Sequence, residues 1–212
     1  MKVSNAKETI LKKIRQALST PVPVPFPHSE GTESVYQQAS QDIEFEFAEK
    51  FTKLQGRFSF CINHKELVEQ LQLLFQARKW ENIYCREDAL KENLSKHGLK
   101  QGFTNDLHNC HASLTTCESL IARTGSIVMS SALQSGRTVS VYAPVHICIA
   151  YTDQLLYDVK DALVNIKGNY ADDPLPSLIT LATGPSRTAD IEKTLVVGVH
   201  GPKEVFCFLV ER

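Results

Sequence analysis

From Glu44 onward the chain alternates short apolar segments with stretches of helical periodicity, and this alternation restricts the possible fold more than any other feature. Helical spacing covers roughly residues 44–55, and Arg57-Phe-Ser-Phe-Cys-Ile62 reads as a strand. Residues 65–80 repeat as a helix with Leu67, Leu71, Leu74 and Phe75 on one face. Asn82-Ile-Tyr-Cys85 is a second short strand, followed by a polar helix to about His97. Short strands separated by helices of this length predict an α/β layer fold with a mainly parallel sheet.

The second half is richer in strand. Ser126–Met129 follows a Thr124-Gly125 turn, Thr138–Tyr142 alternates as a strand does, and Val145–Ala150 is a continuous apolar run. Asp153 is expected to open a helix through Leu163, with Leu155, Leu156, Val159 and Leu163 facing inward. Leu178–Leu181 reads as a buried strand, and Glu204–Val210 as the last strand. Near the other end, residues 5–18 form an amphipathic helix with Ile10, Leu11, Ile14 and Leu18 on one stripe. Alternating prolines in Pro21-Val-Pro-Val-Pro-Phe-Pro27 forbid helix and favour an extended arm. The organisation expected is therefore a helix, proline arm and linker over 1–43, then an α/β domain over 44–212. A helix on a stiff arm can clasp its own domain or a second protomer, which makes a homodimer one expectation and a loosely held extension the other.

Charge and cysteine usage narrow the setting. A formal net charge of −1 gives no basis for broad electrostatic binding to nucleic acid or anionic lipid. No apolar run approaches the ~18 residues of a membrane span, and the first ten residues lack the apolar core of a secretory signal. Six cysteines are scattered, several inside apolar segments such as Val145–Ala150 and Val205–Val210. That pattern reads as reduced, buried thiols in a cytoplasmic protein. There is no Cys-x-x-Cys pair, so this chain is not expected to hold an iron–sulfur cluster alone.

The chemistry-bearing stretch is Gly184-Pro-Ser-Arg-Thr-Ala-Asp-Ile-Glu192, running on to Gly198-Val-His-Gly-Pro202. Glycine beside fixed charge lets main-chain N–H groups approach a small anion closely. Ser186 and Thr188 are placed to cap a short following helix, whose N-terminus would favour a phosphate or carboxylate, and Arg187 could grip the same anion with two donors. The opposing reading pairs Arg187 with Asp190 across one helical turn, in an ordinary Gly-Pro-Ser turn. Ligands in open α/β sheets bind beyond the carboxyl ends of strands, and this loop is expected to leave one such end. His146 could be a satisfied core histidine or an acid–base group at the cleft rim, and His200 faces the same choice in a turn. His108-Asn-Cys-His111 with Cys117 matches no structural-zinc spacing and is expected on a surface loop, so no metal site is assigned.

Several of these strings together resemble a known family. Ala6–Leu18, Leu120-Ile-Ala-Arg-Thr-Gly-Ser126, Ala143-Pro-Val-His146, and above all Gly184–Glu192 with Gly198–Pro202, are similar to the LUD-domain family of LutC/YkgG-type lactate utilization proteins. The resemblance implies a three-layer α/β/α sandwich similar to the NagB/RpiA/CoA-transferase-like fold. It implies a subunit acting with two iron–sulfur partner proteins in bacterial oxidation of L-lactate to pyruvate. No catalytic residue carries over from it. The motif matches mark Thr124, Gly125, Pro144, His146, Gly184, Ser186, Arg187, Thr188, Asp190, His200 and Gly201 without tasks. On chemistry, Thr124, Gly125, His146, Gly184, Ser186, Arg187 and Thr188 become candidate ligand-binding residues. Asp190, Glu118 and His200 become candidates for proton handling.

One position departs from the pattern: Arg123 stands where the family often carries an acid, leaving Glu118 as the nearest upstream carboxylate. The functional expectation is a subunit that binds a small anionic metabolite and docks on iron–sulfur partners. The alternative is a stand-alone isomerase, CoA transferase or ligase acting on a phosphorylated or CoA-linked substrate, which the shared fold supports by analogy alone. The sequence points to no particular cofactor.

Overall fold

The computed structural model describes residues 5–19, 39, 41–188 and 195–212. The proline arm, Asp190 and Glu192 lie outside the described residues. Helix α1, Asn5–Leu18, belongs to a unit of residues 1–37. The unit that follows, from Gln38 to Arg212, begins with α2 (Ile43–Lys53) and β1 (Arg57–Cys61). Next come α3 (His64–Arg78), β2 (Ile83–Cys85), α4 (Asp88–Lys96), β3 (Phe103–Thr104) and β4 (Ala112–Thr115). Beyond them lie β5 (Ser119–Ile121), β6 (Ser126–Ser130), α5 (Val139–Tyr142) and β7 (Val145–Tyr151). A 3₁₀ turn at Thr152–Gln154 leads into β8 (Leu155–Leu156) and α6 (Val159–Asn169). The chain ends with β9 (Ile179–Ala182), β10 (Arg187–Thr188), β11 (Val196–Val197) and β12 (Glu204–Val210).

Six strands form a parallel sheet in the order β1-β12-β7-β4-β2-β3. One face carries Leu114, Ile147, Ile149, Phe206 and Phe208 against Leu67, Leu71 and Phe75 of α3 and Leu90 and Leu94 of α4. The helix α3 starts where Asn63 accepts the Glu66 N–H and stops at Lys79, which turns left-handed at φ 55°. The opposite face presents Cys148, Ala150, Cys207 and Leu209 to Phe47 and Phe51 of α2. The same face meets Leu120, Ile127 and Met129 of a second sheet, ordered β8-β5-β6-β9. Helix α6 closes the outside of that second sheet through Ala162 and Ile166 packed on Ile121 and Val128. The expected α/β fold with a mainly parallel sheet between helical layers is therefore what the chain adopts. The four-stranded sheet is an addition that periodicity did not signal.

Three local expectations give way. Thr138–Tyr142 is not a strand: the Val141 and Tyr142 N–H groups both turn back to the Thr138 carbonyl, making the single turn α5. The helix expected from Asp153 is broken, because Leu155 and Leu156 pair in parallel with Leu120 and Ile121. The helix starts only at Val159, after Asp158 accepts the Lys160 N–H and Asp161 returns a bond to the Asp158 N–H. Leu163, expected inward, is 48% exposed. Finally, β9 is half-exposed rather than buried, and among the described residues β6 alone pairs with it, which makes it an edge strand.

Candidate functional site

The two loops that carry the chemistry-bearing motifs are laced together by their backbones. The Ser186 N–H donates to the Pro202 carbonyl and the Gly198 N–H donates to the Ser186 carbonyl, each at 2.9 Å. Gly201 lies so close that a Cβ there would stand 2.9 Å from the Ser186 Cβ. Arg187 and Thr188 pair antiparallel with Val197 and Val196. The short helix expected to follow Thr188 falls on residues 189–194, outside the described residues.

This lacing closes one side of a cavity of about 420 Å³, which brings together His146, Gly184, Ser186, Arg187, His200 and Gly201. Its other wall is β9 from Thr180 to Ala182 with Thr183, and α5 contributes Ser140 and Val141. An adjoining cavity of about 390 Å³, which shares Val141, His200 and Gly201, extends past Tyr142 and Pro144 to Lys203. The loop does leave the carboxyl end of a strand, but that strand, β9, belongs to the second sheet. Relative to the parallel sheet the cavity lies at the beginning of β7 and β12, beside His146 and Val205.

The cavity's most buried polar group is His146, 1% exposed on β7. Burial pushes its imidazole pKa down to about 4, so the ring is neutral at physiological pH. Its Nε2 shares a 2.8 Å hydrogen bond with the Thr115 hydroxyl on β4. Its Nδ1 has no hydrogen-bonding partner among the described residues. Ser113, directly across from His146 in the β4–β7 register, is equally buried, and its Oγ is likewise without a partner among the described residues. Sequence reading passed over Ser113 and Thr115, although Ala112-Ser-Leu-Thr115 alternates apolar and polar residues over the length of a short strand.

Arg187 lines the cavity and also donates from a guanidinium nitrogen to the Leu54 carbonyl, where α2 ends. Cationic donors complement the exposed carbonyls of a helix C-terminus. Gly184, at φ +77°, lies against the same carbonyl. Gly125, at φ +62°, lies against the backbone of Lys50 and Phe51 in α2. The Thr124, Ser126 and Thr183 hydroxyls form a chain with spacings of 2.7 and 2.8 Å. Thr124 and Gly125 thus connect to the Gly184 loop without lining its cavity.

The remaining candidates are dispersed. Glu118 accepts hydrogen bonds from Ser130 and Tyr170, at the end of β6 opposite Ser126 and roughly 13 Å along the strand from it. Glu118 does not line the cavity. Arg123 makes a 2.8 Å ion pair with Asp158 at the start of α6, so its charge is committed there. His111 Nδ1 accepts the Glu81 and Asn82 N–H groups, and His108 stands edge-on to Tyr142.

Comparison with known proteins adds a family context. A family model of the LUD domain matches residues 45–210. Lactate utilization protein C of Bacillus licheniformis is 39% identical over 99 residues, covering 46% of this chain and 41% of that protein. The stronger likenesses of this kind thus span less than half the length of the curated relatives. Lactate utilization protein C of Oceanobacillus iheyensis is 24% identical over 84% of each chain. A crystal structure of a DUF162 family protein from Deinococcus radiodurans has the same fold. It superposes with a TM-score of 0.59 at 17% identity, over 82% of this chain and 99% of that one.

Proposed function

The chain belongs to the LUD-domain family, and from that premise we propose that it is a LutC-type component of lactate utilization that binds a small anionic metabolite. The names of the Bacillus licheniformis and Oceanobacillus iheyensis relatives support the metabolic role. The observation that carries the binding reading is the cavity itself, lined by both Arg187 and the buried His146 beside the laced motif strings. Arg187 supplies the charge that attracts a carboxylate or phosphate. His146, neutral at physiological pH, supplies hydrogen bonding without charge. His200 and Ser186 at the same cavity add polar contacts. Among the described residues no cluster of histidine, cysteine or carboxylate is arranged to hold a metal. In this reading this chain binds the anion, and the electron-transfer steps belong to iron–sulfur partner proteins, as the resemblance implies.

Reconstitution tests the proposal. Lactate oxidation by the two iron–sulfur partners is measured with no added subunit, with this chain, and with its Arg187→Ala and Arg187→Lys variants. The expected result is a rate that depends on the chain, falls at least tenfold with Arg187→Ala, and is partly restored by lysine. An unchanged rate without the chain, together with failure to co-purify with the partners, would overturn it.

A further inference from the structure

The outer edge of the parallel sheet carries a groove that the anion cavity does not use. β1 is the last strand on that side, and among the described residues β12 alone pairs with it. An open strand edge beside exposed apolar side chains is a surface that folded proteins usually cover. Phe58 and Phe60, two apart on β1, line a cavity of about 540 Å³ together with Phe45 and Ala48 of α2. Phe45 is 70% exposed there. Asp42, Glu44 and Glu211 line the same cavity, and none of the three has an ion-pair partner among the described residues. The cation among the lining residues, Arg212, pairs with Asp153. The groove is therefore apolar along its length and acidic at its rim.

Helix α1 has the complementary character. Ile10, Ile14 and Leu18 follow one another at four-residue spacing, on a stripe about 12 Å long. They are 57%, 47% and 78% exposed. Lys13 and Arg15 lie about 100° to either side of Ile14, so a cation borders the stripe on both flanks. The helix carries Lys7, Lys12, Lys13 and Arg15 against Glu8 alone.

We propose that this groove receives the α1 helix of a second copy of the chain, in a reciprocal dimer about a two-fold axis. The Ile10–Ile14–Leu18 stripe packs on Phe45, Phe58 and Phe60, and the flanking cations face the rim carboxylates. Anchors at this spacing are how an amphipathic helix fills an apolar groove. Each copy offers one stripe and one groove, so a two-fold arrangement covers both pairs and closes. The sequence between α1 and α2 carries Pro21, Pro23, Pro25 and Pro27, and alternating prolines make a stiff spacer that suits delivery to a neighbour.

The test is sedimentation velocity of the full chain over a concentration series, with Ile14→Asp and Phe45→Asp as variants. Both positions are exposed, so each variant is expected to keep the wild-type thermal midpoint. Wild type is expected to dimerise, and each variant to raise the dimer dissociation constant at least about tenfold. Raising salt to about 0.5 M is expected to weaken the wild-type dimer, because the rim charges are screened. Mixing the two variants is expected to recover part of the association, since the intact stripe of one still meets the intact groove of the other. A dimer that both variants leave unchanged uses another surface and overturns the proposal. Variants that separate into monomers and stay so when mixed overturn the pairing of stripe with groove. A chain that is monomeric at every concentration also overturns it, whether the groove then takes its own α1 or a helix of another protein.

Discussion

At Gly184 a Cβ would stand 2.7 Å from the Leu54 carbonyl oxygen, and at Gly125 one would stand 2.7 Å from the Phe51 nitrogen. Both contacts are with backbone at the far end of α2, which cannot swing aside as a side chain can. Added to positive φ, this should make Gly125→Ala cost about 2–4 kcal/mol in a urea titration, with Gly184→Ala close behind. A loss below 0.5 kcal/mol at both would show that α2 is not seated on these turns. Sequence alone attached the backbone freedom of Gly184 to a ligand, whereas packing against α2 already demands glycine there and at Gly125. His146 gives a second test at this scale. The unfolded imidazole gains its proton near pH 6.5, while the folded one resists until about pH 4. Between these values the unfolded state binds more protons, so the stabilisation is full above pH 6.5 and is lost as pH falls towards 4. Stability measured at pH 5.0 should be about 2 kcal/mol lower than at pH 7.5 from this group. His146→Gln should lose that part of the pH dependence, and an unchanged slope in the variant would refute the assignment.

Among the elements, α6 shows how a local signal can be right in kind and wrong in place. The apolar spacing of Leu155, Leu156 and Val159 fits a helix, yet strand pairing with β5 takes the first two residues. What decides the boundary is Asp158, which caps α6 and also pairs with Arg123. Asp158→Ala removes the cap and leaves a half-buried guanidinium without its carboxylate, so a loss of about 2–4 kcal/mol is expected by thermal and chemical unfolding. Leu163→Gln, on the exposed face of the same helix, should change stability by less than about 0.5 kcal/mol. Equal effects of the two substitutions would mean that the helix is rotated from the orientation described. Strand β4 was overlooked for a different reason: Ala112, Ser113, Leu114 and Thr115 alternate over only four residues, and nothing local signals that the polar pair is as buried as the apolar one.

On the scale of the whole molecule, the strand order places the last strand inside the main sheet, one strand from its edge. β12 lies between β1 and β7, with Cys207 and Leu209 fully buried. Removing residues 204–212 would expose the facing edges of both neighbours and much of two cores. Such a truncated chain is expected to lose its cooperative thermal transition and near-ultraviolet circular dichroism, and retention of both would contradict the topology. The sequence by itself determined the α/β class, the extents of α1, α3, β7 and β12, and the motif strings around Gly184 and His200, because periodicity, caps and turn residues act over a few neighbours. Only the tertiary structure decided that a second sheet covers one face, that the cavity opens at the beginning of β7 and β12, and that Ser113 and Thr115 sit beside His146. Those outcomes depend on which strands pair over long separations, where the free energy lies in burial and register rather than in any local pattern.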